Sequence, residues 1–299
     1  MTKPHAGLRL FTATEISTYL ACPRRWYWRF HELLVPRVPP KAPAFGTLLH
    51  ARLAQHYGAP PPLTSAEERA FDPQEARLVQ AQLVAILSAY GQHDPVVRLG
   101  HTVLAVERTF VVPMPSARGR ARTAALAGKF DLVTEDPQGN VWLWDHKSCS
   151  TFANSDWLRL DLQMRLYLYA AYELRLNPVG IVYNMIRKPA LKPHENENLR
   201  AYQDRLTKDI LLRAPTYFRT ELIASSPDLL EAVREELRAY RKVVGRGPYV
   251  RNPEACRYLG CVYMSLCLAD SPLLRAAFVR EEAHPELNWE EVDHGAHAA

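Results

Sequence analysis

The sequence has no apolar run near the roughly 18 residues that a membrane-spanning helix needs, and its first residues, MTKPHAGLRL, contain no apolar signal segment. Those absences lead us to expect a soluble, intracellular, cytoplasmic protein. Cysteine is sparse: there are five, Cys22, Cys149, Cys256, Cys261 and Cys267. An odd number without a signal segment argues against a secreted disulfide framework. A strong excess of one charge is missing too. The formal net charge of +5 permits a nucleic-acid partner without implying one. Lysine is rare, since the 37 basic residues comprise 8 lysines and 29 arginines. Arginine suits phosphate contacts, although a GC-rich genome leaves the same bias. There is no internal repeat. What is present is a chain of 299 residues, 47% hydrophobic, long enough to bury a substantial core.

Periodicity divides the chain. Residues 14–30, TEISTYLACPRRWYWRF, read as a capped amphipathic helix that Pro23 interrupts. The Pro-rich connector VPRVPPKAP (35–43) precedes a helix over 44–57, and residues 66–91 read as one or two more helices. From 102 the period becomes two: TVLAVERTFVV (102–112), TAALAGKFDLVTED (123–136) and NVWLWDHKS (140–148) predict three consecutive antiparallel strands. A basic loop, PSARGRAR (115–122), joins the first pair, and DPQGN (136–140) is a hairpin turn for the second. A helix over 155–177, a strand over 179–188 and helices around 196–213 and 227–244 follow. The expected class is α/β, a mixed sheet flanked by helices.

The stretch WLWDHKS (142–148) carries charge where a strand should be apolar. Alternation puts Val141, Leu143, Asp145 and Lys147 on one face, and Trp142, Trp144 and His146 on the other. A solvated ion pair at a strand end is one explanation. The preceding strand adds Asp131, five residues before the turn as Asp145 is five after it, together with Gly128, where no side chain blocks an approach. Two carboxylates brought together repel unless a cation lies between them. A hard divalent ion such as Mg²⁺ or Mn²⁺ suits such oxygen ligands.

Four pieces occur in order: GTLLH (Gly46 to His50), GKFD (Gly128 to Asp131), DHK (Asp145 to Lys147) and QMRLY (Gln163 to Tyr167). Together they resemble the PD-(D/E)xK nuclease superfamily, in its RecB-like, AddB-like iron–sulfur branch, which includes the CRISPR-associated RecB-like exonucleases. The resemblance spans about 14–190 and resumes at 256–267. It implies a restriction-endonuclease-like fold with His50, Asp131, Asp145 and the backbone carbonyl of His146 as metal ligands. It makes Lys147 the group that positions or deprotonates the attacking water, with Gln163 and Tyr167 orienting Lys147 or a phosphate. Glu107 is a further candidate ligand.

In that branch one N-terminal cysteine and three C-terminal ones hold a 4Fe–4S cluster, which here implies Cys22, Cys256, Cys261 and Cys267. The C-x4-C-x5-C spacing departs from the usual shorter first gap, and zinc is the alternative for four thiolates. Such a clasp would set Arg24, Arg25, Trp26 and Tyr27 near the site, to grip backbone phosphate and stack on bases. The same tract also fits an ordinary amphipathic helix with its aromatics in the core. Cys149 reads as a small buried hydrophobe.

The expected organisation is one nuclease domain over 1–299. It has a catalytic core at 101–190, a helical insertion at 60–100, a clasp joining 14–35 to 250–270, and a poorly ordered acidic tail at 280–299. The expected activity is that of a Mg²⁺- or Mn²⁺-dependent exonuclease on single-stranded DNA or DNA ends, in recombination, repair or replication. A helicase or recombination partner would fit that role. The alternatives are an endonuclease on the same fold and a non-catalytic DNA-binding or helicase-partner module with a vestigial site.

Overall fold

In the computed structural model, which describes residues 7–60, 69–116, 119–285 and 287, helices cover both faces of a mixed sheet. β1 (Arg9–Phe11) leads into α1 (Ala13–Ala21), α2 (Pro23–Trp26) and a π-helical turn (Tyr27–His31), followed by β2 (Leu34–Pro36) and α3 (Lys41–His56). After α4 (Pro73–His93) and α5 (Pro95–Arg98) come the long strands β3 (Thr102–Ser116), β4 (Gly119–Glu135) and β5 (Val141–Cys149). Next are α6 (Ser155–Leu160), α7 (Leu162–Glu173), β6 (Gly180–Arg187), α8 (Leu199–Leu212), α9 (Ala214–Tyr217), β7 (Phe218–Ala224) and α10 (Pro227–Val243). The chain continues through α11 (Pro253–Leu259), α12 (Met264–Leu268), α13 (Pro272–Arg275) and β8 (Phe278–Arg280).

The main sheet runs β1-β4-β5-β6-β7, with β3 on the other edge of β4. β4 is long enough to serve two neighbours on one side. It lies parallel to β1 over Ala124–Leu126 and antiparallel to β5 over Leu132–Glu135. The β4–β5 turn closes as its sequence predicts: the Asp136 carboxylate accepts the N–H groups of Gln138 and Asn140, each at 2.9 Å, and Gly139 takes the positive φ of +82°. β5 and β6 are parallel, with Asp145 beside Tyr183 and Cys149 beside Arg187, and β6 and β7 are antiparallel. β2 and β8 form a separate antiparallel pair that ties the N- and C-terminal segments together.

One core cluster packs α1, α7 and α10 against the sheet through Ile16, Leu166, Ala170, Val233 and Leu237. A second unites α3, α4 and α8 through Leu49, Leu53, Leu83, Ile86, Tyr202 and Leu206. The helices expected as an insertion at 60–100 therefore supply core to the molecule. Asp72 starts α4, its side chain capping Gln74 and Glu75 while Glu75 returns a bond to the Asp72 N–H, so the helix begins later than residue 66.

The single helix expected over 155–177 is two. Asp161 accepts the N–H groups of Gln163 (2.8 Å) and Met164 (3.4 Å), so it caps a fresh helix and ends the previous one. The three-residue strands at 9–11, 34–36 and 278–280 are too short to show a period. Residues 61–68, residues 117–118 of the basic loop, and the acidic tail beyond 287 lie outside the described residues.

Candidate active site

β4 and β5 part company where the charged residues begin. Their ladder ends at Leu132 opposite Trp144, and one step further would set Asp131 against Asp145. There the Asp131 carboxylate, instead of the β4 backbone, accepts the N–H of His146 at 2.8 Å. The alternation of β4 changes at the same place, because Phe130 and Val133, an odd number of residues apart, both enter the main core. In β3 the facing residue is Glu107, which sits between the Val106–Leu132 and Arg108–Phe130 pairs at a left-handed φ of +52°. A local irregularity of this kind re-aims side chains, and it is common beside reactive centres.

The gap is reached from two helices. From α3, His50 brings Nδ1 to 3.4 Å from Asp131 Oδ2. One turn earlier, a Cβ added to Gly46 would lie 2.9 Å from Ser148 Oγ, so glycine lets α3 approach β5 closely. From α7, Gln163 bridges the charged pair: Lys147 Nζ donates to its Oε1 at 2.9 Å, and its Nε2 donates to Asp145 Oδ1 at 3.3 Å. Lys147 Nζ lies 3.0 Å from the same Asp145 oxygen. Tyr167, one turn further on, stands edge-on to Phe110 and Phe130. Gly128 makes room for those rings, since a Cβ there would come within 2.6 Å of Phe110 Cζ and 3.1 Å of Tyr167 Cε1.

Asp145 is 1% exposed, and its second oxygen, Oδ2, is buried with no hydrogen-bond partner among the described residues. Burial pushes its carboxyl up to about 7, with the Asp131 charge adding to the rise and the Lys147 ammonium opposing it. Asp131 goes the other way: burial alone would raise it, but the charge and hydrogen bond of His50 and the His146 N–H hold it well below the carboxylate range. His50 is raised, the Asp131 charge outweighing burial. Lys147 is also raised, because Asp145, Asp161 and Asp131 together outweigh its desolvation. The site thus holds one carboxylate firmly ionised and one poised near neutrality.

A second polar cluster, with no motif to announce it, lies behind His146. The His56 imidazole Nε2 is 2.8 Å from Asp94 Oδ2, and Tyr57 donates its hydroxyl to Asp94 Oδ1 at 2.9 Å. Hydrogen bonds from His56 and Tyr57 keep Asp94 below its ordinary value against the opposing effect of burial, so it has no proton to give. Tyr90 must then donate to the Tyr57 oxygen, 2.8 Å away, and Asn184 Nδ2 donates to Tyr90 at 2.6 Å. The other proton of that amide goes to His146 Nδ1 at 2.9 Å. The chain of donors leaves His146 neutral, with its proton on Nε2. Burial lowers this imidazole to about 4, and its ring stacks on Tyr57 at 5.8 Å.

The remaining expected residues fall into two groups. Glu107 is ion-paired with Lys129; burial raises its carboxyl, and the nearby Asp131 charge adds to the rise. Trp26 is a correction: it is 4% exposed, gives its indole N–H to Glu15 at 2.9 Å and stacks on Tyr249, so it offers no face to a base. Tyr27 donates to Glu32 at 2.8 Å and lies under the Arg24 guanidinium. Arg25 carries its charge towards Cys261.

The three C-terminal cysteines sit close enough for Cys256 and Cys267 to raise the Cys261 thiol, which burial raises most. Cys22 flanks a segment joined to 250–252 by Arg24 N–H to the Val250 carbonyl (3.1 Å) and by Asn252 Nδ2 to the Ala21 carbonyl (2.8 Å). All five thiols are free. Among the described residues, no group of three or more His, Cys, Asp or Glu is arranged to hold a metal ion as it stands.

The family model of the PD-(D/E)XK nuclease superfamily matches this chain over residues 10–268. No curated protein matches it. A crystal structure of SSO0001 is similar at 11% identity and a TM-score of 0.41, covering 88% of this chain and 87% of that one. LHK-Exo in complex with dAMP is similar at 11% identity and a TM-score of 0.31, covering 89% of this chain and 98% of that one. Both likenesses are too remote to bear on activity.

Proposed function

Since the chain belongs to the PD-(D/E)XK nuclease superfamily, we propose that it is a DNA nuclease dependent on Mg²⁺ or Mn²⁺. In this reading it is an exonuclease acting on single strands or DNA ends in recombination, repair or replication. The observation that carries the reading is the buried Asp145 Oδ2. Among the described residues this oxygen has no hydrogen-bond partner, and it feels the charges of Asp131 and His50, so a hard cation would supply the missing interaction.

His50, Asp131 and Asp145, with the carbonyl of His146, would hold the ion. As they stand, the His50 ring faces Asp131 and the Lys147 ammonium faces Asp145. When bound, a divalent ion lowers the pKa of its water and neutralises charge that builds on the phosphate. Lys147, fixed between Asp145 and Gln163, holds a proton against the attacking water or the phosphate oxygens. Gln163 keeps that ammonium from rotating away, and Tyr167 packs the helix turn that carries Gln163. The superfamily resemblance assigns cleavage that leaves a 5′-phosphate.

Cys22, Cys256, Cys261 and Cys267 would hold a 4Fe–4S cluster, or zinc in its place, as a structural clasp. The support is the mutual approach of the three C-terminal thiols and the hydrogen bonds that bring the Cys22 segment to residues 250–252. Metal and sulfide analysis of anaerobically purified protein checks that assignment.

The activity is tested with labelled single-stranded DNA, linear and circular, in Mg²⁺ or Mn²⁺. The wild type should degrade the linear strand and spare the circle, and Asp145→Ala and Lys147→Ala should leave both intact. Undiminished cleavage by both variants would remove the assignment.

A further inference from the structure

We infer that α6 is a base-stacking platform that holds the nucleotides of a single strand beside the catalytic gap. The inference rests on the nuclease reading above and adds to it the element that grips substrate. α6 lies in the chain between Lys147 and Gln163, the two residues that flank Asp145. It is six residues long, and it exposes two of its three apolar side chains. Trp157 is 73% exposed and Leu160 is 65% exposed, while Leu158 between them is buried. Residues three apart on a helix are neighbours, so Trp157 and Leu160 form one apolar face.

The position of that face is fixed by hydrogen bonds. The Leu158 carbonyl accepts the Tyr183 hydroxyl at 3.1 Å, and Tyr183 is the strand partner of Asp145. Asn154 caps the helix start at 2.8 Å, and Asp161 caps α7 immediately after its end. Trp157 is thus held one residue from an atom bonded to the neighbour of the reactive carboxylate. A large exposed indole on such an anchored turn is not filling a core, and among the described residues no ring stacks on it.

The surrounding charge selects the occupant. Arg159 on α6 and Arg187 at the end of β6 are exposed, and neither takes part in an ion pair among the described residues. Arg187 Nε donates to the Ser150 carbonyl at 3.0 Å, at the start of the loop that carries α6, and Arg187 pairs in register with Cys149, two residues beyond Lys147. Asp156 is the one acid on the turn, and it is exposed at the helix start, where it favours the dipole. An aromatic face with one guanidinium group on the same helix and another bonded to the start of its loop, neither in an ion pair among the described residues, fits nucleobases on a phosphate backbone. A duplex buries its base faces and has none to offer, so the platform selects single strands.

The test is fluorescence anisotropy of labelled oligo(dT) with the full-length protein in EDTA, run beside Mn²⁺-dependent cleavage. Trp157→Ala should weaken oligo(dT) binding about thirtyfold, the mid-range loss for one base–aromatic stack, and Trp157→Phe should restore it. Arg159→Ala with Arg187→Ala should flatten the salt dependence of binding, and binding of a duplex of equal length should not respond to Trp157→Ala. If the wild type cuts DNA while Trp157→Ala binds oligo(dT) as tightly as the wild type, the platform is wrong and the nuclease reading stands. If Trp157→Ala alters only sedimentation behaviour, the face belongs to a protein interface and the proposal fails. If the wild type neither binds nor cuts single strands, both readings fall.

Discussion

Asp145 and His146 are consecutive on β5, point to opposite faces of the sheet, and are treated in opposite ways. On the His146 face hydrogen bonds run unbroken from His146 through Asn184, Tyr90 and Tyr57 to Asp94, and among the described residues the Asn184 carbonyl oxygen is the one atom of this run buried without a partner. On the Asp145 face a carboxylate oxygen is buried and left open, and burial lifts its carboxyl to about 7. An unsatisfied buried polar atom costs about 1–3 kcal/mol. A fold that closes one cluster and leaves its neighbour open, one residue away, places that cost where spare coordination is useful.

The comparison can be broken by exchanging the roles of the two faces. The largest expected effect is on activity: Asp145→Asn or Lys147→Ala should lower single-strand cleavage at least about a thousandfold in a gel assay. Thermal melts should show both variants folded. On the other face the effect should be on stability instead. Tyr90→Phe removes the hydroxyl that links Tyr57 to Asn184 and should cost about 1–3 kcal/mol in urea unfolding, while cleavage persists.

A pH series sharpens the contrast, because the two carboxyls have opposite signs. Asp94 is held below its ordinary value, so its contribution is present above the unfolded carboxyl range and lost as the pH falls through the lower folded value. Asp145 is raised, so in metal-free protein the native state keeps a proton that the unfolded chain has released. Stability on its account should fall as the pH rises from about 4 to about 7. Urea midpoints from acid to neutral pH should show Asp94→Asn flattening the acid limb and Asp145→Asn flattening the rise-to-neutral limb.

The smallest effects test the two close approaches. Gly128→Ala drives a Cβ into the Phe110 ring and should cost about 1–3 kcal/mol. Gly46→Ala meets only the rotatable Ser148 hydroxyl and gains helix propensity, so stability should change by less than about 1 kcal/mol.

The site and the sheet differ in how far the sequence reveals them. β3, β4 and β5 follow from period-two alternation and from the DPQGN turn, whose Asp136 and Gly139 do what turn chemistry requires. The pairing of Asp131 with Asp145 follows from counting residues to that turn. The catalytic set is legible because its members sit on strands and helices at fixed spacings. The closed cluster is not, because its members come from the ends of α3 and α4 and from β6, and neither the His56–Tyr57 pair nor the Tyr90–Asp94 spacing of four makes a motif. Asp161 was hidden by an apolar period that continues across it, and only its capping bonds divide α6 from α7. Trp26 looked like a ligand-facing aromatic because sequence alone does not say which side of a short helix meets the buried Glu15.

The most direct measurement of the central claim is Mn²⁺ binding by calorimetry at neutral pH, comparing the wild type with Asp131→Asn and Asp145→Asn. The account expects the wild type to bind, and each variant to lose at least about tenfold in affinity, since a carboxylate ligand contributes most of its attraction through charge. Equal affinity in all three proteins would mean that no cation gathers these acids, and would contradict the account.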